Sequence, residues 1–438
     1  MIFRIVLALL VAGLVFCESA LASFVLANNP RIKTMGRWIS ADNGSKYAGR
    51  GAVQVSAEFE GTGVQVQMYS DSQNDVWWLK KLDDGQMVRF KAQMGTNVLY
   101  QNLPQGKHRL LMIRDTEGLR GVTILRGFYF VGESEAAAAV TPVSNPPVAG
   151  QGAAVSGNAT GNRDAAANSR ADFNKHIAAD KDTGNAEEKQ KPKKRRKRRI
   201  KMESKEEAKP VTPQPPVQRK PHRRYIEIFG DSVAAGAFIY PEGDYFRRES
   251  GYFAFGPLLA RMVNADWSCV ANSGEGAVRN NEEKPPYSAK HAEEQIERAF
   301  YTQKEPRWSN QMDDPDLVIL AYGENDFNDP VNRPSDDYFK NQYKKLILRV
   351  RQFRPDAVIF CMTPANAVTS QRSVPGMGGA VAELRAAGDS KVFFIDLNAH
   401  GPLLNRSDFL DGVHPLVSGH VKIALHLKGH ARAVLGWN

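Results

Sequence analysis

Tyr225-Ile226-Glu227-Ile228-Phe229-Gly230-Asp231-Ser232 decides how this chain is read. A short, largely apolar run ends in a glycine, an acid and a serine, so a strand gives way at once to a turn bearing a hydroxyl. Three later blocks answer it: Ser273-Gly274-Glu275-Gly276, Gly323-Glu324-Asn325-Asp326 and Asp411-Gly412-Val413-His414. Together they offer a nucleophile, donors for an oxyanion, a general base and a group to orient that base, which acyl transfer requires. Gly-Asp-Ser alone is common. The ordered set, with each block where a strand gives way to a loop or helix, is far more specific.

The surrounding rhythm sets the fold. From Tyr225 onward, Ile226 to Phe229, Trp267 to Val270, Leu317 to Ala321, Val358 to Met362 and Val392 to Ile395 are short apolar runs without alternation, as in strands covered on both faces. Helical stretches fall between them at Tyr252 to Val263, His291 to Tyr301, Tyr338 to Phe353 and Ala380 to Ala387, with a last helix from about Pro415 to Val434. This predicts an α/β domain over 223–438, a doubly wound, flavodoxin-like parallel sheet of strand order 2-1-3-4-5. That order gathers Ser232, Gly274, Gly276 and Asn325 at one sheet edge, with Asp411 and His414 in the loop before the last helix.

Residues 23–135 read differently. Val53 to Phe59 and Val64 to Met68 alternate, and further short runs follow at Val76 to Leu79, Val88 to Lys91, His108 to Ile113 and Val122 to Val131. Turns such as Gly61-Thr62-Gly63 and Asp83-Asp84-Gly85 separate them, which indicates an all-β sandwich. Trp77 and Trp78 are adjacent on one strand, so one ring should point into the core and the other outward, where it could stack on a sugar or be covered.

The chain begins with a secretory pattern. Arg4 precedes twelve apolar or glycine residues from Ile5 to Phe16, and Ala20-Leu21-Ala22 offers a cleavage site, so 1–22 reads as a signal peptide. That run is too short to span a bilayer, and no later stretch approaches membrane length. A secreted or periplasmic location follows as an expectation. The net charge of +10 is concentrated. Between Asn174 and Arg224 eighteen Lys or Arg face seven Asp or Glu, leaving the rest of the chain at −1. The segment 136–222, centred on Lys193 to Arg199, has too few large apolar residues to fold and reads as a disordered basic linker. It lacks the interleaved aromatics that stack nucleic-acid bases, so its expected use is attraction to an anionic polymer or membrane surface, or none beyond spacing. Cys17 falls in the signal; Cys269 and Cys361 lie on the second and fourth strands, too far apart to pair, and read as buried thiols. Neither has metal-ligand spacing around it, and no cofactor motif is present.

With the four blocks in order, the region from Arg223 to Asn438 resembles an SGNH (GDSL-type) hydrolase. The resemblance implies Ser232 as nucleophile, His414 as base and Asp411 as the group holding the imidazole in the accepting tautomer. The Ser232 N–H, a glycine N–H and the Asn325 amide would form the oxyanion hole, with Gly276 favoured by spacing and Gly274 as its rival. Asp231 and Asp326 read as structural, bonding nearby loop amides, and His400, His420, His426 and His430 as surface or helix-face residues. Gly36-Arg37-Trp38, Leu82 to Gly85 and Gly106-Lys107-His108 are more loosely similar to the jelly-roll domain of carbohydrate esterase family 2. That implies an acetylated glycan, or another short acyl ester, as substrate. The long linker departs from that family and leaves open whether the sandwich helps to build the cleft. The same site could pass its acyl group to a sugar, as an O-acetyltransferase would. A wall- or matrix-binding protein without activity is the reading outside catalysis. Loops Tyr240 to Gly251 and Thr363 to Gly379 are expected to set specificity.

Overall fold

Polar spacing and turn chemistry produce two halves that share one interior. The computed structural model describes residues 22–71, 75–133, 223–243, 247–288, 291–308 and 314–438. The expected linker, and the expected signal apart from Ala22, lie outside them.

The first half is an antiparallel sandwich of eleven strands: β1 (Ala22–Leu26), β2 (Ile32–Met35), β3 (Ile39–Ser40), β4 (Lys46–Ala48), β5 (Gln54–Gly61), β6 (Gly63–Ser70), β7 (Trp77–Leu82), β8 (Val88–Lys91), β9 (Gly95–Tyr100), β10 (Gly106–Arg114) and β11 (Thr123–Val131). One sheet runs β3-β4-β11-β6-β9 with β1 also on β11, and the other runs β2-β5-β10-β7-β8. Alternation places Val55, Ala57 and Phe59 inward against Leu110, Phe128 and Phe130. Trp78 is fully buried, with Trp38 at 6.4 Å between ring centroids. Trp77 is half-buried, with the guanidiniums of Arg89 and Arg247 at 4.9 and 5.9 Å from its ring. These internal cation–π contacts cover the ring, so it is no open sugar platform.

The second half holds β12 (Tyr225–Gly230), α1 (Ser232–Ala235), α2 (Phe255–Met262), β13 (Asp266–Ala271), α3 (His291–Ile296), β14 (Leu317–Ala321), α4 (Glu324–Phe327), α5 (Asp336–Phe353), β15 (Val358–Met362), α6 (Ala367–Ala386), β16 (Val392–Ile395) and α7 (Val417–Leu435). All five strands are parallel in the order β13-β12-β14-β15-β16, the predicted 2-1-3-4-5. Ile226 and Ile228 face α2 and α7 on one side, and Phe229, Val318 and Leu320 face α5 and α6 on the other. Cys269 and Cys361 are buried and unpaired, and burial pushes both thiols up to about 12.

One expected specificity loop is a helix. Residues 367–379 form most of α6 in spite of Pro375, because Asn366 caps it by accepting the Val368 and Thr369 N–H groups. A Cβ on Gly376 would lie 2.7 Å from the Phe339 ring, so this glycine permits close approach to α5. His420 is likewise no surface residue: it is buried on α7, and its Nδ1 accepts the Phe255 N–H at 3.1 Å.

The halves pack directly, which answers the doubt raised by the long linker. Arg37, in the turn after β2, places Nη2 3.0 Å from Glu227 on β12, and Arg354 holds the other oxygen of that carboxylate at 2.8 Å. Burial opposes ionisation of Glu227, but the two guanidiniums outweigh it and hold its carboxyl below the usual value. Arg50 donates to Gln295 Oε1 at 2.7 Å and to Phe300 O at 3.2 Å. Tyr47, Tyr69 and Ile124 of the sandwich share one apolar cluster with Ala299, Phe300 and Trp308.

Removing one member of a buried ion network strands the others without water. Glu227→Leu should therefore lower the unfolding free energy by about 3–5 kcal/mol in a urea titration. Well-separated unfolding transitions for the sandwich and the α/β half of the wild-type protein would contradict a shared interior.

Candidate active site

The strand end at Gly230 builds the turn that carries Ser232. A Cβ on Gly230 would lie 2.6 Å from Ala234 Cβ and 2.8 Å from Ala321 O, so only glycine lets the chain double back here. Asp231 caps α1, its Oδ1 accepting the Val233 N–H at 3.0 Å. That leaves Ser232 Oγ free of a capping duty, and His414 Nε2 lies 3.0 Å from it.

On the far side of the imidazole, His414 Nδ1 is 2.8 Å from Asp411 Oδ2. Asp411 Oδ1 also accepts the backbone N–H groups of Val413 and His414, at 3.0 and 2.8 Å. Partial burial works against ionisation of Asp411, but the His414 ring and these two amides outweigh it and hold the carboxyl well below the ordinary carboxylate range. The turn is pinned from outside itself. Leu410 N–H donates to His414 O at 3.0 Å, Leu416 N–H to Asp408 O at 2.7 Å, and Asn366 Nδ2 to Gly412 O at 2.9 Å. The Phe238 ring lies against His414 with 4.8 Å between centroids.

The donor side rests on Asp326, whose carboxylate accepts the N–H groups of Ala277, Val278 and Arg279 at 3.0, 2.8 and 2.9 Å. Asn325 Nδ2 donates to Glu275 O at 2.8 Å, which uses one of its two protons and orients the other. The two candidate glycines differ in a way that spacing does not show. Gly276 N–H is committed to Asn280 Oδ1 at 3.1 Å, and a Cβ there would lie 1.8 Å from Arg279 O. Gly274 has φ +80 and nothing closer than Asn281 Cβ at 3.8 Å where its own Cβ would stand. The N–H groups of Gly274 and Ser232 have no acceptor among the described residues. Of the two, Gly274 is thus the one whose N–H is left free, and Gly276 the one held by tight packing.

Sequence reasoning gave no role to Glu324, Glu275, Asn366 or Phe238. Glu324 accepts the Thr369 hydroxyl at 2.6 Å, and burial pushes it up to about 7. Only the helix-capping habit of asparagine could have drawn attention to Asn366. Among the described residues no group of three or more His, Cys, Asp or Glu could hold a metal ion, and no helix is long and apolar enough to cross a membrane. A groove of about 980 Å³ lies on the outer face of the sandwich, lined by Lys33, Glu58, Lys107 and Arg109, and includes none of these site residues.

Fold and site define an SGNH (GDSL-type) hydrolase domain joined to a β-sandwich. Comparison with known proteins makes this specific: residues 34–139 match the carbohydrate esterase 2 N-terminal family, and residues 228–422 the GDSL-like lipase/acylhydrolase family. The chain carries both in tandem. It is 28% identical over 228 residues to the cellulase/esterase CelE of Acetivibrio thermocellus, covering 50% of this chain and 26% of that protein. It is 24% identical over 223 residues to an acetylxylan esterase / glucomannan deacetylase of Cellvibrio japonicus, covering 49% and 58%. The chain thus spans between about a quarter and three-fifths of these curated relatives. A solved family two carbohydrate esterase from Cellvibrio japonicus shares the fold with a TM-score of 0.66 at 20% identity, over 95% of this chain and 99% of that one. One from Clostridium thermocellum in complex with cellohexaose gives 0.64 at 20% identity, over 93% and 100%.

The donor side has a consequence for pH. Burial pushes Glu275 up to about 7 from 4.5. Between those values the folded protein keeps a proton here that the unfolded chain has lost. The stability held by the neutral carboxyl is therefore complete below 4.5 and is gone above about 7. Replacing it by a neutral amide removes that dependence. Relative to wild type, Glu275→Gln should gain up to about 3 kcal/mol of unfolding free energy between acidic and mildly basic buffer. A wild-type-to-variant difference that stays constant across that range would mean Glu275 is ionised in the folded protein.

Proposed function

We propose that this chain is an extracytoplasmic serine esterase that removes O-acetyl or other short acyl groups from a carbohydrate through an acyl-enzyme. The observation that carries this reading is the unbroken chain from Asp411 through His414 to Ser232, at 2.8 and 3.0 Å. The carbohydrate part rests on what the named relatives act on.

His414 Nε2 takes the Ser232 proton as Oγ attacks the ester carbonyl, while Asp411 holds Nδ1–H and stabilises the imidazolium. The tetrahedral oxyanion is met by the N–H groups of Ser232 and Gly274 and by Asn325 Nδ2. His414 then gives its proton to the departing sugar hydroxyl, leaving acetyl on Oγ. A water deprotonated by the same nitrogen attacks the acyl carbon, and acetate leaves as Ser232 regains its proton. Hydrolysis, and not transfer to a second sugar, is the reading that relatives named as an esterase and a deacetylase support. The partly exposed side chains of Asp411 and His414, at 44% and 17%, give solvent a way to the base side.

The basic segment serves as an electrostatic tether to anionic polymer. Its last two residues are not part of it, since Arg223 pairs with Asp266 at 2.9 Å and Arg224 Nη1 donates to Val263 O at 2.8 Å.

Ser232→Ala should leave the protein folded and reduce turnover of an aryl acetate by several orders of magnitude. Asn325→Ala should cost about 10²–10³ in kcat, as loss of one oxyanion donor does. Near-wild-type turnover in the first variant removes Ser232 as nucleophile; a change confined to KM in the second makes Asn325 a substrate-binding residue. Replacing residues 174–222 by a neutral flexible segment should leave aryl acetate turnover within about twofold and weaken retention on an anionic polysaccharide at low salt. Unchanged retention would reduce the segment to a spacer.

A further inference from the structure

The sandwich reaches the site through the residues between β10 and β11. Glu117 Oε2 accepts the N–H of Ser273, the residue immediately before Gly274, at 2.6 Å. The Glu117 N–H donates to Glu249 Oε2 at 3.0 Å, and Glu249 is paired with Arg120 at 2.9 Å. Asp115 accepts the Ser250 hydroxyl, and its carbonyl accepts the Gly251 N–H at 2.9 Å. Ser250 N–H in turn donates at 2.9 Å to the carbonyl of Gly236, the residue that closes α1 behind Ser232. Next along, Gly118 packs so closely that a Cβ would stand 2.7 Å from Gly49 O and 2.8 Å from the Asn272 side-chain amide.

We propose that Glu117 is a positioning residue for acyl transfer, a carboxylate lent by the sandwich that fixes the Asn272–Ser273 peptide, and with it the residue before Gly274, so that the Gly274 N–H faces the oxyanion. This rests on the esterase reading above. The physical reason lies in the glycine. At φ +80, without a Cβ and with open space beside it, Gly274 does little to fix its own peptide plane. Its aim is therefore set by how firmly the preceding residue is held. A buried carboxylate is a costly way to hold one amide: Glu117 is 1% exposed, and burial together with the Glu249 carboxylate pushes it above its usual value. Arg37, Arg50 and the shared apolar cluster already join the halves elsewhere, so docking alone does not call for it. A donor misplaced by about 1 Å can cost about 10² in rate.

The test uses the full chain with Glu117→Ala and Glu117→Gln, reading kcat and KM on an aryl acetate beside amide hydrogen exchange of residues 272–281. Glu117→Ala should lower kcat by about 10–100-fold with KM little changed, and accelerate exchange in that segment. Glu117→Gln keeps an oxygen acceptor for Ser273 N–H and should restore kcat to within about fivefold, with exchange near wild type. Unchanged kcat in the alanine variant overturns the proposal, as does a glutamine variant that stays folded yet loses as much as alanine. If the alanine variant does not fold, the glutamine variant decides: wild-type kcat and exchange support the proposal, and more than a tenfold fall overturns it. A wild-type protein inactive on every ester sinks the esterase reading instead, and exchange alone then decides whether Glu117 holds the loop.

Discussion

The carboxylate of Glu227 is the constraint on which the arrangement depends. It lies on β12, flanked by β13 and β14, fully buried, between a guanidinium of its own half and one from the sandwich. An ionised side chain at that depth is tolerable only when both oxygens are held by charged donors. The sandwich is therefore needed to complete the interior of the α/β half, whatever length of chain lies between them. Three residues further along, the strand ends at Gly230, and Asp231 and Ser232 follow at once. The strand that carries the joint between the halves also delivers Ser232.

The chemistry was legible in the sequence because it sits at strand ends, and strand ends are marked by composition. Apolar runs without alternation, each followed by a small or polar block, yielded the strand order and the placement of Ser232 and Asn325, while His414 was placed by its own block before the last helix. Asp231 and Asp326 bond loop amides, as their position in short turns suggested. What was not legible is whatever depends on distant partners. Sequence reasoning assigned Arg50 no role and Arg37 only a place in the Gly36-Arg37-Trp38 block, yet both are fully buried, with acceptors such as Glu227 and Gln295 some 190 to 258 residues away. Local pattern carries no trace of such pairings.

Other departures come from residues whose habits were overruled by packing. Pro375 and the glycines around it argue for a loop, but a capped start at Asn366 and the close approach to Phe339 hold that stretch in a helix. His420 looked like any helix-face histidine, and its burial follows from an unsatisfied amide at the start of α2 that needs an acceptor. Gly274 and Gly276 stand two positions apart, and spacing alone favours Gly276. Only the backbone separates them, one left-handed and open, the other wedged against Arg279.

The site is consequently supported from two directions that barely overlap. Ser232, Gly274 and Asn325 stand on strand ends whose loops are braced by Asp326 and by the sandwich residues Asp115 and Glu117. Asp411 and His414 stand on a turn tied to Asp408, Asn366 and Leu410, all within the α/β half. Attack and oxyanion binding need sub-ångström aim, and that side is the doubly braced one. Proton transfer needs a base that water can reach during deacylation, and that side is the partly exposed one. Disturbing the sandwich should therefore harm the aim of the donors before it harms the base. A fold that asks for rigidity at one carboxylate and access at another can meet both demands by assigning them to different walls.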